Sequence, residues 1–178
     1  MRLRLLAVTV FLAAVCVAAP FAQSVTKATV PGVTNFARVE TTIACAGATT
    51  PAAVAELKKM GFASVVNLRE ASEQGADIDA EAAAAKAAGI NFIHLPFNTA
   101  KPDPAVADAF LKVITDRAND PAFIHCASGN RAAAMWMIKR MQIDKWDADR
   151  AGTEAALLGL TNPALKTFAL DYVQAHKQ

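Results

Sequence analysis

The sequence predicts an α/β fold: a mostly parallel central sheet of about four to five strands, flanked by helices. Two observations lead there. Short β-branched or aromatic runs alternate with helical segments, and such alternation closes most simply as a parallel sheet covered by helices. The helical segments also carry their own punctuation, with proline behind a capping side chain at their starts and glycine at their ends.

Four runs read as strands because each is short, apolar and bounded by turn residues: TTIACAG from Thr41, ASVVNLR from Ala63, NFIHLPF from Asn91 and AFIHC from Ala122. Thr50-Pro51 opens a helix that Gly61 closes, and an alanine-rich helix from about Asp79 ends at Gly89. Asp103-Pro104 opens a third, running to about Arg117. The chain is helical again from Arg131 to about Met141, from Asp147 to Leu158 and from Pro163 to His176. Met135, Trp136 and Met137 are read as core.

The first 22 residues, MRLRLLAVTVFLAAVCVAAPFA, read as a secretory signal with a basic start, an apolar centre and small residues before a cut near Ala22. The apolar centre is too short for a transmembrane helix. The expected product is secreted or periplasmic, with residues 23–40 as a lead-in and 41–178 as one α/β domain. Removing Arg2 and Arg4 brings the 18 basic residues level with the 16 acidic ones. No basic patch remains to take nucleic acid, and no second apolar span points to a membrane. Two cysteines survive processing, Cys45 and Cys126, too few for a disulfide scaffold. They and the three histidines lack metal-ligand spacing, so neither metal nor cofactor is expected.

The site is expected at the carboxyl ends of the strands, where open α/β sheets bind ligands. The run from Ala122 delivers Cys126 to that edge, and Ala127, Ser128, Gly129 and Asn130 lead into a helix. Amide groups of such a loop, backed by the helix dipole, cradle an anion. Gly129 lets the backbone curl inward, and Arg131 can grip an oxyanion with two parallel hydrogen bonds. The same field favours a thiolate at Cys126, a nucleophile near neutral pH.

His125-Cys126 followed by Arg131 resembles the signature of the cysteine-dependent tyrosine and dual-specificity phosphatases. The chain is more similar still to the bacterial beta-lactamase-hydrolase-like, phosphatase-like domain. TTPAAVAELKKMGFASVVNLRE, AAGINFIHLPF and HCASGNRAAAMW resemble its segments in order, over roughly residues 40–142. The resemblance implies a phosphatase-like fold and hydrolysis of a small anionic, phosphorylated substrate through a phosphocysteine. It also implies that His125 points away from substrate and hydrogen-bonds backbone, holding the thiolate indirectly.

Two departures bear on the chemistry. Tyrosine phosphatases place five residues between cysteine and arginine; here there are four, the loop length of rhodanese sulfurtransferases. That leaves open a sulfurtransferase carrying a persulfide on Cys126, fed by a persulfide donor, or a non-catalytic anion-binding module. The family's acidic proton donor falls near Asn98 and Thr99, neither of which can serve. Asp103 is the nearest carboxylate and reads first as a helix cap. Ser128 either donates to the thiolate or is simply a small loop residue. Arg69 and Glu70 either line the pocket or form a surface ion pair. His94 reads as a satisfied histidine, and Cys45 as a small buried thiol, with a reversible disulfide to Cys126 as the alternative.

Overall fold

All four apolar runs expected as strands pair in one sheet. The computed structural model describes residues 24–39 and 41–176; the expected signal and its cut near Ala22 lie outside them. Six strands are present among the described residues: β1 (Val25–Lys27), β2 (Ala37–Val39), β3 (Ile43–Ala46), β4 (Ser64–Asn67), β5 (Asn91–His94) and β6 (Ala122–His125). Their order is β1-β2-β3-β6-β4-β5. From β3 to β5 every pairing is parallel, with β6 between β3 and β4. β1 and β2 add an antiparallel edge.

The count of four to five strands is thus corrected to six, and the expected lead-in of residues 23–40 contributes two of them. Both are three-residue strands, and β1 is largely exposed, so neither shows the apolar run that betrays a buried strand. What fixes them is backbone pairing, β1 to β2 and β2 to β3, which no local pattern announces.

The helices are α1 (Val54–Lys59), α2 (Ile78–Ala88), α3 (Pro104–Thr115), α4 (Asn130–Gln142), α5 (Ala148–Leu157) and α6 (Pro163–Ala175). Their starts follow the cap chemistry. Asp77, Asp103, Asp147 and Asn162 each accept a bond from an amide of the following turn, and Gly89 ends α2 in the left-handed region. Thr50 is the exception. It makes no side-chain cap, and Pro51–Ala53 form a single 3-10 turn ahead of α1.

Side chains alternate across the sheet, which separates two cores. On one face Ala44, Val65 and Phe123 pack with Val54, Leu57 and Ala85 of α1 and α2. On the other, Cys45, Val66 and Ile124 meet Phe110 of α3, Met137 of α4, Ala151 of α5 and Leu165 of α6. Met135, Trp136 and Met137 are buried, as expected. β6 is sandwiched between both layers, and Phe123 at its centre is fully buried against Phe36 and Phe62. Truncating it leaves a cavity lined by two rings. The Phe123→Ala variant is therefore expected to lose about 3–5 kcal/mol of stability, measured by urea denaturation.

Candidate active site

Each parallel strand ends at the same edge of the sheet, and β6 ends there on the nucleophile candidate. The Cys126 amide donates to Ala46 O at 3.2 Å, so the last ladder bond of β6 seats this residue beside the end of β3. The chain then turns through Ala127, Ser128 and Gly129 into α4. Ala127 O accepts from the Ala48 amide at 2.9 Å, and Ser128 O accepts from Asn35 Nδ2 at 3.1 Å. Because a trans peptide sets its N–H opposite its C=O, these outward carbonyls turn the Ser128 and Gly129 amides inward. The Gly129 amide does meet the Cys126 sulfur, at 3.1 Å. Gly129 adopts φ 99°, a left-handed conformation that glycine reaches without strain.

Arg131 lies in the first turn of α4 and is 7% exposed. Its Nη1 donates to Leu68 O at 3.0 Å and Phe97 O at 2.9 Å, the backbone just beyond β4 and β5. Its Nη1 and Nη2 together grip the Glu73 carboxylate, the latter at 2.7 Å. Burial works against this charge, but Glu73 and the neighbouring Cys126 sulfur outweigh it and hold the guanidinium above its ordinary range. The structure therefore brings Cys126, Gly129 and Arg131 together at one sulfur.

Other expected residues take different places. Asn130 does not turn its side chain to the anion site. Its Oδ1 accepts from the Thr161 and Asn162 amides at 2.7 and 2.8 Å, tying the α5–α6 connection to the start of α4. Ser128 is exposed, and its Oγ accepts from Asn130 Nδ2 at 3.3 Å. Ala127 is exposed as well. Asp103 caps α3 through the Ala105 amide at 2.9 Å, which engages its carboxylate away from chemistry. Asn98 clasps Glu70 through Nδ2, at 3.0 and 3.1 Å to the two carboxylate oxygens. Arg69 is buried rather than part of a surface pair. Its guanidinium reaches Gln74 O at 2.6 Å and Gly75 O at 2.9 Å, folding the 70–75 loop onto the sheet edge. His94 Nε2 pairs with Arg69 O at 2.7 Å.

His125 corrects an expectation taken from the resemblance. Its ring nitrogens find no backbone partner among the described residues. Instead Nε2 lies 2.8 Å from Oε1 of the buried Glu81 on α2. Cys45 and Cys126 are both buried free thiols. Burial first, then the charges of Cys126 and Glu154, pushes the Cys45 thiol well above its ordinary value.

Three residues escaped the sequence reading: Asn35, Glu73 and Glu81. Glu73 stands four residues after Arg69, a spacing that signals pairing, but nothing local ties it to Arg131. Glu81 shares a helix face with Ile78, Ala85 and Ala88, and a carboxylate in such an apolar stripe was a readable signal.

Residues 35–143 match the family of the beta-lactamase hydrolase-like protein, phosphatase-like domain. That span is more than half of the chain, and the chain belongs to this family. The fold is also that of solved cysteine-dependent phosphatases. Similar structures include Pseudomonas aeruginosa TpbA, 22% identical over 89% of this chain and 92% of that one, with a TM-score of 0.65. A form of TpbA bearing a cysteine-to-serine change, in complex with phosphotyrosine, is 20% identical over 87% and 90%, with a TM-score of 0.64. The core catalytic domain of the PP-IP phosphatase SIW14 from Saccharomyces cerevisiae, in complex with citrate, is 18% identical over 81% and 88%, with a TM-score of 0.63. No curated protein sequence matches the chain significantly.

The Glu73 bridge carries a pH signature. Burial alone would raise its pKa, but bonds from Arg131, the Glu70 amide and Arg69 lower it from 4.5 to about 2. A carboxylate depressed on folding stabilises the fold above its unfolded value, and that contribution disappears as pH falls through the folded value. Glu73→Gln is expected to melt below wild type at pH 7, with the gap closing between pH 4.5 and about 2 in a thermal denaturation series.

Proposed function

We propose that the chain is an exported phosphomonoester hydrolase that works through a phosphocysteine on Cys126. The observation that carries this reading is the Cys126 sulfur, met by the Gly129 amide at 3.1 Å and flanked by a buried, anchored guanidinium. Such a seat holds a negatively charged sulfur and, above it, the equatorial oxygens of a tetrahedral anion. The thiolate attacks phosphorus as the ester oxygen departs with its bonding electrons. Water then attacks the phosphocysteine, phosphate leaves, and the thiolate is restored. Arg131 and the inward amides stabilise the charge that builds on the phosphoryl oxygens in both steps.

The substrate class follows from what the site lacks. Asn98 and Thr99 supply no proton to the departing oxygen, and Asp103 is engaged as a cap. Esters with good leaving groups, such as aryl phosphates, are therefore favoured over alkyl phosphates. The phosphotyrosine complex of the similar TpbA form and the similar PP-IP phosphatase SIW14 support a phosphorylated substrate.

The four-residue spacing from Cys126 to Arg131 favours a second reading, sulfur transfer through a persulfide at the same cradle. Turnover of p-nitrophenyl phosphate separates the two. Wild type is expected to hydrolyse it, Cys126→Ser to fall to background, and Arg131→Ala to lose roughly 10²–10³-fold in kcat/KM. Equal rates for wild type and Cys126→Ser would sink the hydrolase reading. A sulfur adduct on Cys126 after exposure to thiosulfate, with no phosphoryl adduct from the aryl ester, would install the second. Export has its own check: fractionated cells expressing the full chain are expected to hold it outside the cytoplasm, shortened near Ala22.

A further inference from the structure

Behind the nucleophile, three polar side chains are buried together where apolar ones would pack as well. Asn67 on β4, Glu81 on α2 and His125 on β6 are 1%, 3% and 0% exposed. Asn67 and His125 sit opposite each other in the parallel ladder, and Glu81 descends onto both from the helix above. Asn67 Nδ2 donates to Glu81 Oε2 at 2.7 Å, which aims the other oxygen at His125 Nε2, 2.8 Å away. The two atoms stand at ion-pair distance, and neither has another hydrogen-bond partner among the described residues.

Burying a carboxylate beside an imidazole is costly, and an apolar replacement of similar size is often neutral or stabilising. The faces around them are otherwise apolar: Ala85 lies one turn along α2, and the Phe123 ring stacks on His125 at 5.7 Å between centroids. Stability alone gives no reason for the trio. Its location does, because His125 is bonded directly to Cys126. The far end of the network is also connected. Asn67 Oδ1 accepts from the Arg69 amide at 2.8 Å, and Arg69 Nε pairs with Glu73, which grips Arg131. Both ends of the active site thus connect through one polar chain, buried except at the partly exposed Glu73.

We propose that Glu81 is a positioning residue for the nucleophile. Its carboxylate keeps a proton on His125 Nε2 and fixes the ring, and through it the strand end that presents the Cys126 sulfur to the loop amides. The proposal rests on the reading of Cys126 as the nucleophile, but its test does not depend on turnover. Nitrogen-15 NMR of the His125 ring is expected to show a protonated Nε2 in wild type and in Glu81→Gln, whose amide oxygen still accepts. Iodoacetamide alkylation of Cys126, followed by mass spectrometry, is expected to run at the wild-type rate in Glu81→Gln and about tenfold slower in folded Glu81→Leu. For p-nitrophenyl phosphate, Glu81→Leu is expected to lower kcat by a similar factor at unchanged KM.

A merely structural role would lower the melting temperature of Glu81→Leu without changing alkylation of the folded protein, and that result overturns the proposal. An unprotonated Nε2 in wild type overturns it too, and decides the matter even if Glu81→Leu fails to fold. Wild type with normal alkylation and no aryl phosphate turnover would sink the hydrolase reading and leave the positioning proposal standing on its own readouts.

Discussion

The site depends on one ionic clamp: the Arg131 guanidinium held by Glu73 and by the carbonyls of Leu68 and Phe97. Arg131 belongs to the helix after β6, Leu68 follows β4 and Phe97 follows β5, so this side chain stitches three strand ends together. A long cationic side chain left to itself would sample solvent and lose rotamer entropy each time it met an anion. Here that entropy is lost on folding, so the charge is already placed when an anion arrives. The carboxylate that anchors it approaches on the Nη side. It keeps the guanidinium charged in a buried position.

The clamp in turn needs the register of the sheet. β6 lies between β3 and β4, and its last amide bonds Ala46 O before the chain leaves for the loop. Two carbonyls of that loop are tied outward, one to Asn35 and one to Ala48, and the amides opposite them turn in. The cradle is therefore made by bonds on its outer surface. The antiparallel edge matters for the same reason: the connection from β1 to β2 carries Asn35 to the loop.

Much of this was legible in the chain. The apolar runs at Ile43, Val65 and Phe123 marked parallel strands covered on both faces, and the shorter run at Phe92 marked β5, which is only partly buried at the sheet edge. Asp103-Pro104, Asp147 and Pro163 marked helix starts by local chemistry, and the alanine-rich helix expected from about Asp79 begins at Ile78. Cys126, Gly129 and Arg131 were legible because a strand, a tight turn and a helix in succession leave them little choice of location. β1 and β2 were not, since strands of three residues are stabilised by the neighbours they pair with rather than by their own pattern. Nor was the orientation of Asn130, whose side chain answers to Thr161 and Asn162 some thirty positions on.

The sequence by itself determined the alternation of strands and helices and the loop that joins the sulfur to the guanidinium. Both follow from periodicity, capping and spacing over a few neighbouring residues. Only the tertiary structure decided which carboxylates serve that loop. Glu73 and Glu81 reach Arg131 and His125 across 58 and 44 positions of chain. Carboxylate–guanidinium and carboxylate–imidazole contacts act over a few ångströms of space, and separation along the chain says nothing about that distance until the sheet has formed.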